Sequence, residues 1–427
     1  MASKNSDETG YIVMKCTLAI ASPRQGLPHR KLYRGFRHRG RLVATQLNTN
    51  TERFFMETSY QPKVALPAKE QIEKTIDLLL NCLTKIDDTS GEFLLDFDGL
   101  KVDDKSWCVW NWPQGVGLFG TYCNYRNTGN EKALRIVNDW FEARMREGAP
   151  SKNINTMAPL LTMALLYEDT GDSRYVPYLE RWADWAMNDL TRTDEGGFQH
   201  VTYGPENKNQ MWDDTLMMTV LPLAKIGMLL GREDYVNEAR YQLMLHVKYL
   251  ADRVTGLWYH GWSFERKDHF AGALWCRGNC WITISFPIFI EVLGLKPGDP
   301  LYELLVSTLR AQIEALAKHQ DPETGLWHTL INEPESYLET SGSAGFAYGI
   351  LKAVHMRYVD AEYEDVANRA INGVLSQIGD HGQVANVSVG TGLEDSLDYY
   401  RNIAITDMPY GQSLSVLALT EALISYC

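Results

Sequence analysis

The feature that most limits how this chain can fold is a repeat. Four times, a Gly/Asp turn opens a charged amphipathic stretch, at 171–175, 231–235, 298–302 and 360–363. Each stretch leads to a loop with glycine and aromatic or β-prone residues, at 196–201, 256–260, 325–328 and 382–385. Each loop then enters a more apolar, small-residue-rich stretch beginning near Asp214, Gly278, Ser343 and Gly411. The unit is an outer polar helix, a decorated loop and an inner buried helix. It recurs at roughly 60-residue intervals, as in stacked or closed repeat architectures. Upstream, Ile72, Ile76, Leu79, Leu80 and Leu83 fall at i, i+3, i+4 spacing, and 132–145 reads as another amphipathic helix. Residues 91–98 form a short extended piece. About six helix pairs in one run, with no Pro/Ser-rich linker between them, predict an all-α fold. The expected form is a closed (α/α)6 barrel with short β pieces in its loops, which gather at one end around a central cavity.

Residues 66–427 are read as this single domain. Residues 1–65 differ: 23–41 are basic and Gly-rich with no steady period, the pattern of a poorly ordered N-terminal arm. Met56 is a candidate start for the compact part. A net charge of −13 with no basic block in the main body argues against a nucleic-acid partner. No apolar run approaches the ~20 residues of a membrane span. The first residues lack the layout of a secretory signal. Seven scattered cysteines, an odd number, read as reduced thiols and a cytoplasmic location. Cys276 and Cys280 have no second Cys/His pair at zinc-ligand spacing nearby, so no metal is expected. The 12 Trp residues cluster, several in loops beside glycine, where flat apolar rings can meet the C–H faces of sugars.

The stretch 210–218 puts Asp213 and Asp214 at the mouth of an apolar run, Leu216 to Leu230, that contains Pro222 and stops at Gly231. An Asp there can be an N-cap, satisfying orphan N–H groups. It can also be an acid at the open end of an inner helix. The loops hold Asn153, Asn155, His200, His260, Trp262, Arg277, Asn279, Trp281, His328 and Glu339. Each alone has a structural explanation, Asn155 as a cap and Arg277 as a partner to an acid. Their recurrence at similar places in several repeats favours a site.

Six motifs carry a resemblance that runs from about residue 90 to the C-terminus. They are Trp112-Pro-Gln-Gly-Val-Gly-Leu118, Asn153-Ile-Asn-Thr-Met-Ala-Pro159, Gln210-Met-Trp-Asp-Asp-Thr-Leu216, Tyr259-His-Gly-Trp262, Trp275-Cys-Arg-Gly-Asn-Cys-Trp281 and Tyr410-Gly-Gln412. The chain resembles the unsaturated rhamnogalacturonyl hydrolases of glycoside hydrolase family 105, related to the unsaturated glucuronyl hydrolases of family 88. The resemblance implies the (α/α)6 barrel and makes Asp214 the catalytic acid. It places Asp213, His200, His260, Trp262, Arg277, Trp281, Asn155 and Trp112 around the substrate. Family members acting on paired uronates carry a second Asp in the early loop, where this chain has Asn153-Ile-Asn155, which points to the rhamnogalacturonan branch.

Ordinary glycosidases need two carboxylates flanking the scissile bond. A lyase-generated 4,5-unsaturated uronate is a vinyl ether. Protonation at C4 creates an oxocarbenium-like C5, water adds there, the hemiketal opens and the neighbouring sugar leaves. One carboxyl can donate the proton and then activate the water. The resemblance gives both roles to Asp214, whose pKa should then be raised. Arg277 is expected to fork the substrate carboxylate, and Trp281, four residues on and on the same helix face, to stack on the sugar. No cofactor is expected. The partner is a small oligosaccharide bearing an unsaturated uronic acid, bound by a monomer or weak homo-oligomer. Three alternatives remain: a sugar epimerase or isomerase using His200, His260 or His328 as base; a non-catalytic sugar binder; and a hydrolase of unsaturated glucuronyl disaccharides.

Overall fold

The structure, a computed structural model, describes residues 60–97 and 99–426. The expected arm up to residue 59, with Met56 and Cys16, lies outside the described residues, as does Cys427. In chain order the elements are α1 (Lys69–Leu83), β1 (Leu94–Phe97), β2 (Leu100–Asp103), α2 (Trp112–Thr128), α3 (Glu131–Glu147), α4 (Ile154–Met157), α5 (Pro159–Thr170) and α6 (Val176–Asn188). Next come β3 (Gln210–Trp212), a π-helical turn (Leu216–Val220) running into α7 (Leu221–Leu230), α8 (Glu233–Leu250), β4 (Gly261–Ser263), α9 (Cys276–Val292) and α10 (Pro300–His319). The chain closes with β5 (Trp327–His328), β6 (Leu338–Glu339), α11 (Thr340–His355), α12 (Glu364–Ser376), α13 (Leu397–Arg401) and α14 (Pro409–Ile424).

The helices sort into two layers by their buried faces. In α3 only Ala133, Val137, Trp140, Phe141 and Arg144 are buried, one stripe at i, i+4, i+7, i+8. Helices α1, α6, α8, α10 and α12 share that stripe and stand outside. In α9 every residue from Cys276 to Ile290 is buried, and α2, α5, α7, α11 and α14 are likewise covered on most sides. The inner helices touch in sequence, α2 to α5, α7, α9, α11 and α14, and α14 returns to α2. That closed ring is the (α/α)6 barrel, with six outer helices around six inner ones.

The loops that bring each chain inward share one construction. Antiparallel bridges Arg192↔Phe198, Ala251↔Trp258 and Ile378↔Val384 fasten three of them to the ends of α6, α8 and α12. The turn glycines have positive φ: 83° at Gly256, 75° at Gly325 and 88° at Gly382. They also press on the next outer helix. A Cβ at Gly256 would stand 2.5 Å from the Ala311 carbonyl, at Gly325 2.4 Å from that of Arg369, and at Gly382 2.4 Å from that of Leu78. Glycine is therefore required twice over, by backbone geometry and by contact. The last contact joins the sixth pair to the first.

Short strand pairs brace the mouth: β1 with β2, β3 with β4 and β5 with β6, all antiparallel. Among the described residues, no helix is long and apolar enough to cross a membrane.

The chain is tied to the barrel upstream of residue 66. The N–H groups of Lys63 and Val64 donate to Asp365 Oδ1 at 2.7 and 3.0 Å. Asn368 Nδ2 donates to the Val64 carbonyl at 2.9 Å and Asn372 Nδ2 to that of Ala65 at 3.1 Å. At ~1 kcal/mol each, these bonds are worth on the order of 2–4 kcal/mol together. A protein starting at Leu66 should melt a few °C below one starting at Pro62. Equal melting temperatures by calorimetry would show that the strap adds nothing.

Candidate active site

The acid loop is placed by the β3–β4 pair. Trp212 lies opposite Gly261, and the N–H of Asp213 donates to the His260 carbonyl at 2.9 Å. Just beyond, the apolar run read as one helix is split. Its first turn, Leu216–Val220, is π-helical, and the α-helix proper starts at Leu221. Pro222 has no N–H to donate to an upstream carbonyl, so the regular ladder cannot run unbroken through this point. A wide turn of this kind is common beside functional groups. Neither carboxylate acts as an N-cap. Asp214 Oδ2 meets His260 Nε2 at 3.1 Å, and Asp214 Oδ1 accepts from Trp281 Nε1 at 3.1 Å. Asp213 is fully buried, and apart from the neighbouring Asp214 its carboxyl oxygens have no hydrogen-bond partner among the described residues. It fits because residue 278 is glycine: a Cβ there would stand 2.4 Å from Asp213 Oδ2.

This placement reverses the expected titration. Burial pushes the Asp213 carboxyl well above the carboxylate range, and the Asp214 charge adds to it. Burial pushes Asp214 up as well, but the hydrogen bonds it shares with His260 and with Asp213 work against that, and Asp214 is held below that range. Asp213 therefore keeps a proton and Asp214 carries the charge. The Asp214 side chain is 15% exposed, so it is the member that solvent reaches.

His200 Nδ1 pairs with Thr215 Oγ1 at 2.9 Å, and its ring stacks on Trp212 at 4.1 Å and 5°. Burial lowers its pKa to about 4, so it is neutral at pH 7. His260 has its Nδ1 2.7 Å from Tyr400 Oη, and its ring packs on Trp275 at 4.5 Å. Trp112 stacks on Tyr410 at 4.7 Å and sets its edge against Trp281 at 6.1 Å.

Arg277 and Trp281 are both enclosed in the structure. The Arg277 guanidinium is fully buried. Its Nη1 donates to Ser388 O at 2.9 Å and to the Ser388 hydroxyl, and its Nη2 to Val389 O at 2.7 Å and Thr391 Oγ1 at 2.8 Å. Glu339 lies 3.5 Å away, and the Trp275 and Tyr410 rings lie at 4.6 and 4.9 Å. Its Nε is left without a hydrogen-bond partner among the described residues. Arg277 is a strut that ties the 388–391 loop to α9. Trp281 is also fully buried, and its indole N–H holds Asp214 where a ring face for sugar was expected.

Trp262 stands outside this network, in a cluster with Tyr249 at 5.3 Å and His269 at 4.7 Å. The cap role considered for Asn155 belongs to Asn153, whose side chain accepts from Thr156 N at 3.0 Å. Asn155, half-buried, makes no side-chain hydrogen bond among the described residues. His328 turns to the Ser336 carbonyl, and Glu339 caps α11 through Gly342 N at 2.6 Å. One oxygen each of Asp213 and Asp214 and a ring nitrogen of His260 lie within 4.8 Å of one another. A cation drawing on all three would displace the His260–Asp214 hydrogen bond.

Sequence reasoning missed Tyr400, Trp275 and Asp104 as members of this region. Only Trp275 stood within a motif. Asp104 is buried, accepts from Asn111 Nδ2 at 2.7 Å and lies against Gly390. Burial, helped by Asp103, pushes it up to about 7.

Two tests follow from these placements. Arg277→Lys keeps the charge but cannot reach four acceptors. It should cost about 3 kcal/mol or more of stability, and at least ~1.4 kcal/mol, tenfold, in kcat/KM. Unchanged melting would remove the strut. The second concerns Asp104, whose folded pKa is above its unfolded one. Between about pH 4 and 7 the folded state keeps a proton that the unfolded state has lost, so stability falls as pH rises through that window. The contribution is on the order of 4 kcal/mol. Urea unfolding of Asp104→Asn should show a shallower decline from pH 4.5 to 7.5 than the parent, and parallel curves would refute it.

Comparison with known proteins gives a consistent picture. The family described as Glycosyl Hydrolase Family 88 matches residues 85–426. The unsaturated rhamnogalacturonyl hydrolase YesR of Bacillus subtilis is 30% identical over 318 residues, covering 74% of this chain and 90% of YesR. A possible member of the GH105 family from Salmonella enterica serovar Paratyphi A is 52% identical, covers 86% of this chain and 97% of its own, and superposes with a TM-score of 0.84. A possible member of the same family from Klebsiella pneumoniae is 48% identical, covers 90% and 100%, and has a TM-score of 0.83.

Proposed function

The chain belongs to glycoside hydrolase family 88, and from that premise we propose that it removes the unsaturated galacturonyl residue from lyase-generated rhamnogalacturonan oligosaccharides. The substrate class rests on YesR, whose name gives that activity and 90% of whose length is matched. The chemistry rests on the acid pair: one solvent-reaching carboxylate held by His260 and Trp281, beside a buried carboxyl that keeps a proton. In this reading the substrate's own carboxylate adds negative charge beside Asp214 and raises its proton affinity. The pair's proton is then delivered from Asp214 to C4. Water adds to the electron-poor C5 and gives its proton back to Asp214. The C5 hemiketal opens to a ketone, and the anomeric carbon expels the neighbouring sugar. Acid and base are one residue used twice. Asp213 is the store that keeps a proton within reach. His200, being neutral, adds no competing positive charge at pH 7.

A cytoplasmic location belongs to the same proposal, supported by the odd cysteine count and by the buried thiols of Cys82, Cys276 and Cys280. So does action on a small soluble oligosaccharide by a monomer or weak homo-oligomer.

Turnover on unsaturated disaccharides from rhamnogalacturonan, homogalacturonan and glycosaminoglycans should be fastest for the first, read as loss of the 4,5-unsaturated chromophore. In heavy water, deuterium should enter C4 of the released product, and labelled solvent oxygen should enter at C5. Label at the anomeric carbon with C4 undeuterated would mean direct glycosidic hydrolysis. Isomerisation without cleavage would mean an epimerase or isomerase. Asp214→Asn should abolish nearly all turnover with the fold intact. Asp213→Asn should keep part of it, with the high-pH limb moved to lower pH, because the proton then rests on Asp214 alone. The reverse order of severity would overturn the assignment.

A further inference from the structure

One hydrogen-bonded chain leaves the acid pair and ends in the loop that follows Ser388. The backbone N–H of Glu394 donates to Tyr400 Oη at 3.4 Å. Tyr400 Oη lies 2.7 Å from His260 Nδ1, and His260 Nε2 lies 3.1 Å from Asp214 Oδ2. Tyr400 is fully buried on α13, and the packing of the His260 ring against Trp275 and Trp212 fixes its plane.

The direction of each bond can be derived. A backbone N–H only donates, so it occupies a lone pair of the phenol oxygen. An ionised Asp214 only accepts, so the proton between it and the imidazole sits on His260 Nε2. In neutral His260 the Nδ1 is then bare and must accept, and the one proton able to fill it is the Tyr400 hydroxyl's. Burial raises the phenol's pKa, and the Asp214 charge adds to that, so the hydroxyl keeps its proton. The other titratable groups facing this chain are His200 beside Asp214 and Tyr399 beside Tyr400.

We propose that Tyr400 is a positioning residue: its hydroxyl fixes His260 in the tautomer whose Nε2–H holds Asp214, and so ties the acid to the seating of the 388–396 loop. Without the hydroxyl, Asp214 alone favours the Nε2–H form, and Nδ1 loses the donor that complements it. In the other tautomer a bare nitrogen faces a carboxylate, and Asp214 loses one of its two donors. The loop end of the chain is anchored independently. Arg266 pairs with Asp395 at 2.6 Å, and Ala271 N donates to Glu394 O at 3.2 Å. The loop's position, the imidazole proton and the carboxylate's charge are thus links of one chain.

The catalytic side of this inference rests on the reading of Asp214 above, whereas the tautomer itself does not. Long-range proton–nitrogen NMR on the unliganded protein, with His260 assigned by its loss in His260→Gln, should show Nε2 protonated and Nδ1 bare. The opposite pattern in the parent protein would overturn the proposal, whether or not any variant folds. Tyr400→Phe should shift His260 toward a mixture of tautomers. It should lower kcat tenfold or more with KM within about twofold, and it should move the pH–rate profile. A folded Tyr400→Phe with the parent's tautomer and parent's pH profile would also overturn it. If the parent turns over no unsaturated disaccharide, the functional reading fails while the NMR result still decides the tautomer.

Discussion

The mouth of this barrel is arranged around a buried carboxyl whose one hydrogen-bond partner among the described residues is the acid beside it. Asp213 sits in a fully buried pocket where, apart from Asp214, neither oxygen has a hydrogen-bond partner among the described residues. An ionised carboxylate in such a place would cost far more than a protonated one. The neighbour one residue on has two donors, from His260 and Trp281, and takes the charge. Two adjacent side chains of one chemical kind are thus driven to opposite protonation states by surroundings alone. The surroundings come from three separate parts of the chain: the β3–β4 pair, the first turn of α9 and the short helix α13.

That separation explains what the sequence could and could not disclose. The barrel was legible because its cause is periodic: one buried stripe on outer helices, burial all round on inner ones, and a turn glycine between. The expected starts near Gly278, Ser343 and Gly411 fall within a few residues of the observed Cys276, Thr340 and Pro409. The acid loop was legible because two aspartates before an apolar run are chemically conspicuous. The break in that run was not, since Leu216–Leu230 looks like one helix until Pro222 is weighed against the ladder upstream. Tyr400 could not be found from its context: it lies in a short helix with no period, and its importance comes from a hydrogen bond spanning 140 positions.

Arg277 marks the limit of chemical analogy. A guanidinium four residues before a tryptophan, on one helix face, suits a carboxylate ligand, and the residue type and spacing are compatible with that use. What spacing does not show is how many partners it already has. Both terminal nitrogens are spent on the 388–391 loop, and the flat faces lie against Trp275 and Tyr410. Burial and partner count, which sequence does not carry, show the same residue supporting a loop.

The three glycine contacts that join outer turns to the following outer helices have a further meaning for how the molecule forms. An open array of helical repeats can grow one unit at a time, each new unit resting on a finished one. Here the turn at Gly382 rests on the helix that began the barrel, and α14 lies between α2 and α11. The first pair, with Leu79, Leu80 and Leu83 on its apolar side, therefore waits for the sixth to cover it. During synthesis the ring stays open until its last member emerges, and the longest-range contacts in the fold are also the final ones. Folding of this kind is slow to close and depends on keeping an unfinished apolar rim from meeting other chains.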